Sequence, residues 1–201
     1  METALKRLSV VAVFLAIVLV GSAANAQQID FAFGVGTISS AAATTNSSGF
    51  HLQSLTGGAY PAISGDFLLH KNFGIGGEIA WRGSEGSYAG IAPYRPLFWD
   101  FDAMYIPRLS RRLAAELSAG IGAESIRFYT PYFNCGFAGC TNYTTSTHFL
   151  GQFGAGLKIY VHGGLFVRPE AHFYLINNNV EFSSNHAVRY GGSIGYTFGG
   201  R

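Results

Sequence analysis

Eight stretches of the chain alternate residue by residue, and in each of them the charges fall on one side only. Between positions 73 and 82, Phe73, Ile75, Gly77, Ile79 and Trp81 form one set, and Gly74, Gly76, Glu78, Ala80 and Arg82 the other. A strand has period two, so the two sets point to opposite faces of a sheet. The pattern predicts strands over residues 29–38, 58–69, 73–82, 95–106, 112–126, 148–161, 165–176 and 187–198. The bare face continues as Leu97, Trp99, Phe101, Ala103 and Tyr105 in the fourth strand, and as Val188, Tyr190, Gly192, Ile194, Tyr196 and Phe198 in the eighth. The opposite face carries Asp30, Asp66, Glu78, Arg82, Asp100, Asp102, Glu116, Glu124, Lys158, Arg168, Glu170, His172 and Arg189.

One bulky apolar face and one face of small and charged groups is what a strand needs in a lipid bilayer. An Arg or Lys facing lipid at the midplane costs roughly 2–4 kcal/mol, so the charged face must look inward. Open sheet edges cannot meet lipid, so the strands must close into a barrel. A soluble barrel turned inside out, with a lipid cargo, is the rival. The pairs Gly34 and Gly36, Gly120 and Gly122, and Gly154 and Gly156 on the polar face argue against it. Small side chains suit a crowded lumen, whereas a solvated face favours Lys, Glu and Thr. The connections alternate in length. Those at 70–72, 107–111 and 162–164 are tight, and those at 39–57, 83–94, 127–147 and 177–186 are long. Short periplasmic turns and long external loops are the habit of outer-membrane barrels, which places both mature termini in the periplasm. Two aromatic girdles are expected, with Phe67, Phe73, Tyr105, Phe166 and Tyr196 near the turn ends and Trp81, Trp99, Phe128, Phe149 and Tyr190 towards the loop ends.

Composition agrees. The chain has 201 residues, enough for one domain, and only 12% are charged against about 25% in a soluble protein. The net charge of +2 gives no argument for nucleic acid. Residues 1–26 read as a secretory signal: Lys6 and Arg7, an apolar run over 8–20, then small residues ending in Ala24, Asn25 and Ala26. The run is too short to span as a helix, which takes roughly 20 residues. Cleavage between Ala26 and Gln27 removes Glu2, Lys6 and Arg7, taking the charge from +2 to +1. Residues 27–201 are then the barrel.

Three sets of residues carry candidate chemistry. Asp66, Glu78, Asp100, Asp102, Glu116, Lys158, Arg168 and Glu170 fall at similar depths on the inward face. Charges removed from water must be paired, so a salt-bridged plug is expected, centred on Lys158 and Arg168. An ion path is the alternative, and the excess of acids would make it lean towards cations. The second set is Cys135 and Cys140. In an oxidising compartment a disulfide is the default; a metal site would need more ligands than nearby His148 supplies. The third is Gly74-Ile75-Gly76-Gly77, which lies inside a strand pattern, whereas a phosphate-cradling loop needs a following helix. No cofactor is implied.

With these features the chain resembles the small outer-membrane β-barrel family of Gram-negative bacteria, the OmpA/OmpX-like barrels. The resemblance spans residues 27–201 and rests on the signal, the eight strands, the loop lengths and the inward charges. The last strand, with Tyr196 and Phe198, is similar to the family's terminal assembly signal, although Gly199, Gly200 and Arg201 follow it. The resemblance implies an eight-stranded, antiparallel, up-and-down transmembrane barrel. It implies contact with outer-membrane lipid and lipopolysaccharide, delivery by the barrel assembly machinery, and a monomer. Members of this architecture are structural proteins, adhesins and a few lipid A-modifying enzymes. A non-enzymatic structural or surface-interaction role is the expectation. For the enzyme alternative, the nearest local set is Glu181, Ser183, Ser184 and His186 in the last long loop.

Overall fold

A computed structural model describes residues 28–45, 51–70, 72–88, 90, 92–136 and 139–199. The leader, including Ala26 and Gln27, lies outside these residues. Eight long strands make the wall: β1 (Gln28–Ser40), β2 (Tyr60–His70), β3 (Phe73–Trp81), β4 (Ala92–Tyr105), β5 (Leu113–Gly136), β6 (Gly139–His162), β7 (Leu165–Ile176) and β8 (His186–Phe198). Every long strand pairs antiparallel with its neighbour in sequence, and β1 pairs with β8 from Ile29↔Phe198 to Ser40↔Ala187. The sheet therefore has no first or last strand, and the wall leaves no edge to lipid.

Burial separates the two faces as the alternation requires. Phe31, Phe33, Ile63, Ile75, Ile79, Phe101, Ile121, Phe153 and Ile194 are exposed. Asp30, Asp66, Glu78, Asp100, Asp102, Glu116, Glu124, Lys158, Arg168, Glu170, His172 and Arg189 are all buried. Glycines on the inner face make room for long cationic stems. A side chain at Gly156 would press on Arg168 Cγ and Cδ, each 3.2 Å from an added Cβ, and one at Gly36 on Arg189 Cγ at 3.3 Å. The turn between β6 and β7 uses Gly163 at φ 53°, a conformation glycine adopts without steric cost.

Three expectations need correction. The stretch 127–147 is not a loop. β5 and β6 run on as a two-stranded ribbon to Gly136 and Gly139, paired from Tyr143↔Tyr129 to Gly139↔Gly136. Beyond the bilayer both faces are wet, so the one-sided pattern that marks a membrane strand vanishes while the strand itself continues. Next, Phe166 is not part of an outer girdle: it is fully buried in the lumen. Phe128 likewise packs against an inner cluster. Finally, the lumen is not filled by charge alone. The ionic layer lies between two apolar ones. At the turn end sit Ala32, Leu68, Met104, Ile106, Ala114, Tyr160 and Phe166. At the loop end sit Ile38, Tyr60, Tyr94, Phe98, Ile126, Leu150, Tyr174 and Ile176, joined by Leu55 and Phe182 from the connecting segments. Both layers come from inward positions, where an apolar residue breaks the alternation that a sequence reader uses.

Candidate functional site

The ionic layer is built from inward residues of all eight long strands. Lys158 on β6 is its lower centre. Its Nζ lies 2.6 Å from Asp30 Oδ2, 2.9 Å from Asp66 Oδ2 and 2.7 Å from Glu116 Oε2. An ammonium has three N–H donors, and here three carboxylates surround it. Arg168 on β7 spreads its guanidinium over the same group. Nη1 donates to Glu116 Oε1 at 2.7 Å and Nη2 to Ser64 Oγ at 2.8 Å. Nε lies 2.7 Å from Glu170 Oε2 and donates to Ser193 Oγ at 3.1 Å, while Ser193 in turn donates to Glu170 at 3.0 Å. The Lys158 ammonium stands 5.2 Å over the Phe166 ring, joining the ionic layer to the apolar one below.

Arg189 on β8 forms a second centre. It donates to Glu78 and, through Nε, to the Tyr174 hydroxyl at 3.2 Å. Tyr174 stacks on Phe98, with ring centroids 5.0 Å apart, and so ties this centre to the upper apolar layer. Of the residues the sequence singled out, Asp66, Glu78, Glu116, Lys158, Arg168 and Glu170 are thus brought into ion pairs. Asp30 and Arg189, which lie on the same inward face, join them. Asp100 and Asp102 do not: among the described residues neither makes an ion pair, and Oδ1 of each has no hydrogen-bond donor. Glu124, higher on β5, is also buried with both oxygens unpartnered.

At the loop end a second polar group forms, one that sequence order hides. Ser146 and His148 on β6 meet Glu181 from the segment after β7. Ser146 Oγ lies 2.5 Å from Glu181 Oε1 and 3.0 Å from His148 Nε2, and His148 Nε2 lies 2.9 Å from Glu181 Oε2. A hydrolytic relay needs the serine on one imidazole nitrogen and the acid on the other. Here both meet the same nitrogen, and the serine hydroxyl donates to the glutamate. The group holds a connection down rather than activating an oxygen. Of the set Glu181, Ser183, Ser184 and His186, only Ser184 and His186 stay together. Ser184 Oγ bonds His186 Nδ1 at 3.0 Å, and Ser183 donates to the Ala41 carbonyl at 2.9 Å. The Tyr88 hydroxyl donates to the Glu181 carbonyl at 2.8 Å. Burial, with the Glu181 carboxylate second, pushes this phenol up, so it stays a donor. Together with Leu55 and Phe182, these contacts close the mouth over the upper apolar layer.

Above the mouth stands the ribbon. Residues 129–136 add roughly 25 Å of strand beyond the last pairing of β5 with β4, at Tyr94↔Phe128. The Cys135–Cys140 disulfide joins directly opposed residues at its tip. Tyr132 and Phe133 are 80% and 73% exposed, among the most exposed large side chains of the chain. Converting both cysteines to serine should speed amide exchange over 129–145 and leave the urea midpoint of the barrel unchanged. A shifted midpoint would mean that the bridge supports the wall itself.

Comparison of the coordinates with solved structures gives the same architecture repeatedly. Ail, the attachment invasion locus protein of Yersinia pestis, solved with the heparin analogue sucrose octasulfate, matches over 86% of this chain and 99% of its own, at a TM-score of 0.56 and 12% identity. Neisserial surface protein A matches over 86% and 97%, at 0.59 and 10%. The fold is that of the small outer-membrane β-barrels. The N-terminal barrel domain of Pseudomonas aeruginosa OprF matches this barrel over 87% and 98%, at a TM-score of 0.51 and 15% identity. No protein-family model and no curated protein matches the sequence of this barrel. The likeness is one of architecture rather than of shared residues.

Proposed function

We propose that the chain is a non-enzymatic integral outer-membrane protein of a Gram-negative bacterium, and that it acts at the cell surface through the β5–β6 ribbon. Residues 1–26 direct export, with cleavage between Ala26 and Gln27. Tyr196 and Phe198 present the last strand to the barrel assembly machinery. The termini lie in the periplasm, the bare face meets lipid and lipopolysaccharide, and a single copy suffices to close the wall.

The observation that carries this reading is the ribbon. Aromatic side chains that rise past a sealed barrel, under a disulfide clasp, serve no packing need of the wall. Its two edges also differ. The β5 edge carries Pro131, which has no N–H to offer. The β6 edge, Thr141-Asn142-Tyr143-Thr144-Thr145-Ser146-Thr147, has neither proline nor charge, and among the described residues no strand pairs with it on the β7 side. Soluble proteins block such edges, while receptors of extended peptide leave them open.

The test replaces residues 129–143 with a short turn and compares attachment of cells carrying equal surface amounts to host-cell monolayers and matrix proteins. Loss of attachment is expected, and undiminished attachment would contradict the reading. The lipid A-modifying alternative is tested by Ser146→Ala. Unchanged lipid A by mass spectrometry is expected, because Ser146 faces the mouth and its proton goes to Glu181. A channel is disfavoured by the apolar layers above and below the charges, and silence in planar bilayers is the expected result.

A further inference from the structure

Positions 128–147 carry no Asp, Glu, Lys or Arg. Within them the ribbon is graded by polarity along its length. The far end, 135–140, reads Cys-Gly-Phe-Ala-Gly-Cys, and the disulfide leaves no free thiol there. Next come Tyr132 and Phe133, both largely exposed. Below these the Tyr129 and Tyr143 rings meet edge to face, with centroids 6.2 Å apart. The nearest charge is Arg127, whose guanidinium lies over the Tyr143 ring at 5.1 Å. Apolar surface therefore increases with distance from the barrel, and charge stops where it begins.

The backbone suits a water-poor setting as well. Pairing passes from Tyr143↔Tyr129 to Thr141↔Asn134, so Asn142 alone stands opposite residues 130–133. Such a bulge re-aims side chains, and this one holds the two exposed aromatics. It also takes carbonyls out of the ladder. Thr130 Oγ1 answers them: it lies 2.9 Å from the Tyr132 carbonyl and 3.3 Å from the Asn142 carbonyl. Beyond the bulge the pairs Cys140↔Cys135 and Gly139↔Gly136 carry the ladder towards the tip. Unsatisfied peptide groups are what keep an ordinary loop out of lipid, and here pairing and the Thr130 hydroxyl reduce them.

We propose that the tip of the ribbon inserts into the surface of an apposed, electrically neutral bilayer. Tyr132 and Phe133 are the anchors, and Arg127 stays at the headgroups. The inference rests on the reading that the ribbon stands outside the cell. Aromatic rings favour the boundary between headgroups and acyl chains, and a small apolar tip goes below them. Partners of either charge find no complement on this segment, and a protein interface would ordinarily steer through charged groups that are missing here. The ribbon rises past the last pairing of β5 with β4, at Tyr94↔Phe128, so the bilayer it meets is a second one rather than its own.

The test places the chain in nanodiscs and mixes them with phosphatidylcholine vesicles. Wild-type discs should float with the vesicles and empty discs should not, and high salt should leave flotation unchanged. The Tyr132→Ser/Phe133→Ser variant, altered outside the wall, should float at least about ten-fold less. In a Trp81→Phe/Trp99→Phe/Tyr132→Trp variant, acyl-brominated lipid confined to the added vesicles should quench the remaining tryptophan. Wild-type discs that do not float overturn the proposal, as does flotation that the double serine variant retains or that needs anionic lipid and fails in salt. If replacing 129–143 abolishes attachment to cells while vesicles are not bound, the ribbon engages a protein: insertion is then overturned and the surface role stands. Vesicle binding with undiminished attachment overturns the surface role and leaves insertion in place.

Discussion

Replacing Lys158 with methionine should weaken the refolded barrel by about 3–5 kcal/mol, the usual cost of removing one member from a buried ion network. Methionine keeps most of the volume, so packing changes little. What changes is that Asp30, Asp66 and Glu116 lose the ammonium that each touches at 2.9 Å or less, in a layer with no bulk water. Arg168 covers only part of the loss, because its Nη1 keeps Glu116 at 2.7 Å and lies 3.5 Å from Asp66, while Asp30 is left without a cation. Equilibrium unfolding in urea, followed by the heat-dependent shift on gels, measures the effect. Adding Asp30→Asn and Glu116→Gln to the methionine variant should recover part of it, by removing the repulsion. A loss under about 1 kcal/mol would mean that water reaches these carboxylates.

The second large effect is expected on the other face. Ile121 is exposed at mid-strand, two residues from buried Ala123, with Ala119 and Ala123 beside it on the same face of β5. Ile121→Arg should cost roughly 2–4 kcal/mol in vesicles, as for a lipid-facing cation near the midplane. The same change at Tyr132, on the ribbon, should cost almost nothing, because that site is in water. Refolding yield and urea midpoint in lipid vesicles separate the two. Equal, small effects would place Ile121 outside the hydrocarbon.

The residues that made the fold legible are those at which lipid and lumen demand opposite chemistry. Phe101 between Asp100 and Asp102, or Ile121 between Gly120 and Gly122, leaves no doubt about direction. Legibility failed where that opposition fades. Phe166 and Phe128 look like girdle residues because an aromatic ring suits both a membrane interface and an apolar plug; only the register tells which face it is on. The ribbon read as a loop because Thr144, Thr145 and Thr147 carry strand propensity but no one-sided pattern. In the ionic layer, Lys158 and Arg168 were visible as the scarce cations among many acids. Their partners were not, since strand stagger decides which carboxylate meets which cation. Ser146, His148 and Glu181 come together from positions 33 to 35 residues apart, and the signal that could have found them is faint: two polar inward residues at 146 and 148, the second opposite Glu124. Asp100 and Asp102 were seen as members of the cluster. That neither joins an ion pair depends on what stands opposite them, Glu78 and Gly122 for Asp100 and Gly76 and Gly120 for Asp102, and only the register shows this.

The bare face should meet lipid, with the charged face sealed from water. Trp81 and Trp99 are the chain's two tryptophans, and both lie on the bare face. In a Trp81→Phe variant, refolded into vesicles, Trp99 reports alone. Lipids brominated along the acyl chain should quench its fluorescence strongly, and aqueous acrylamide should hardly touch it. Strong quenching by acrylamide with none from the brominated lipids would put this face in water and rule out a lipid-facing wall.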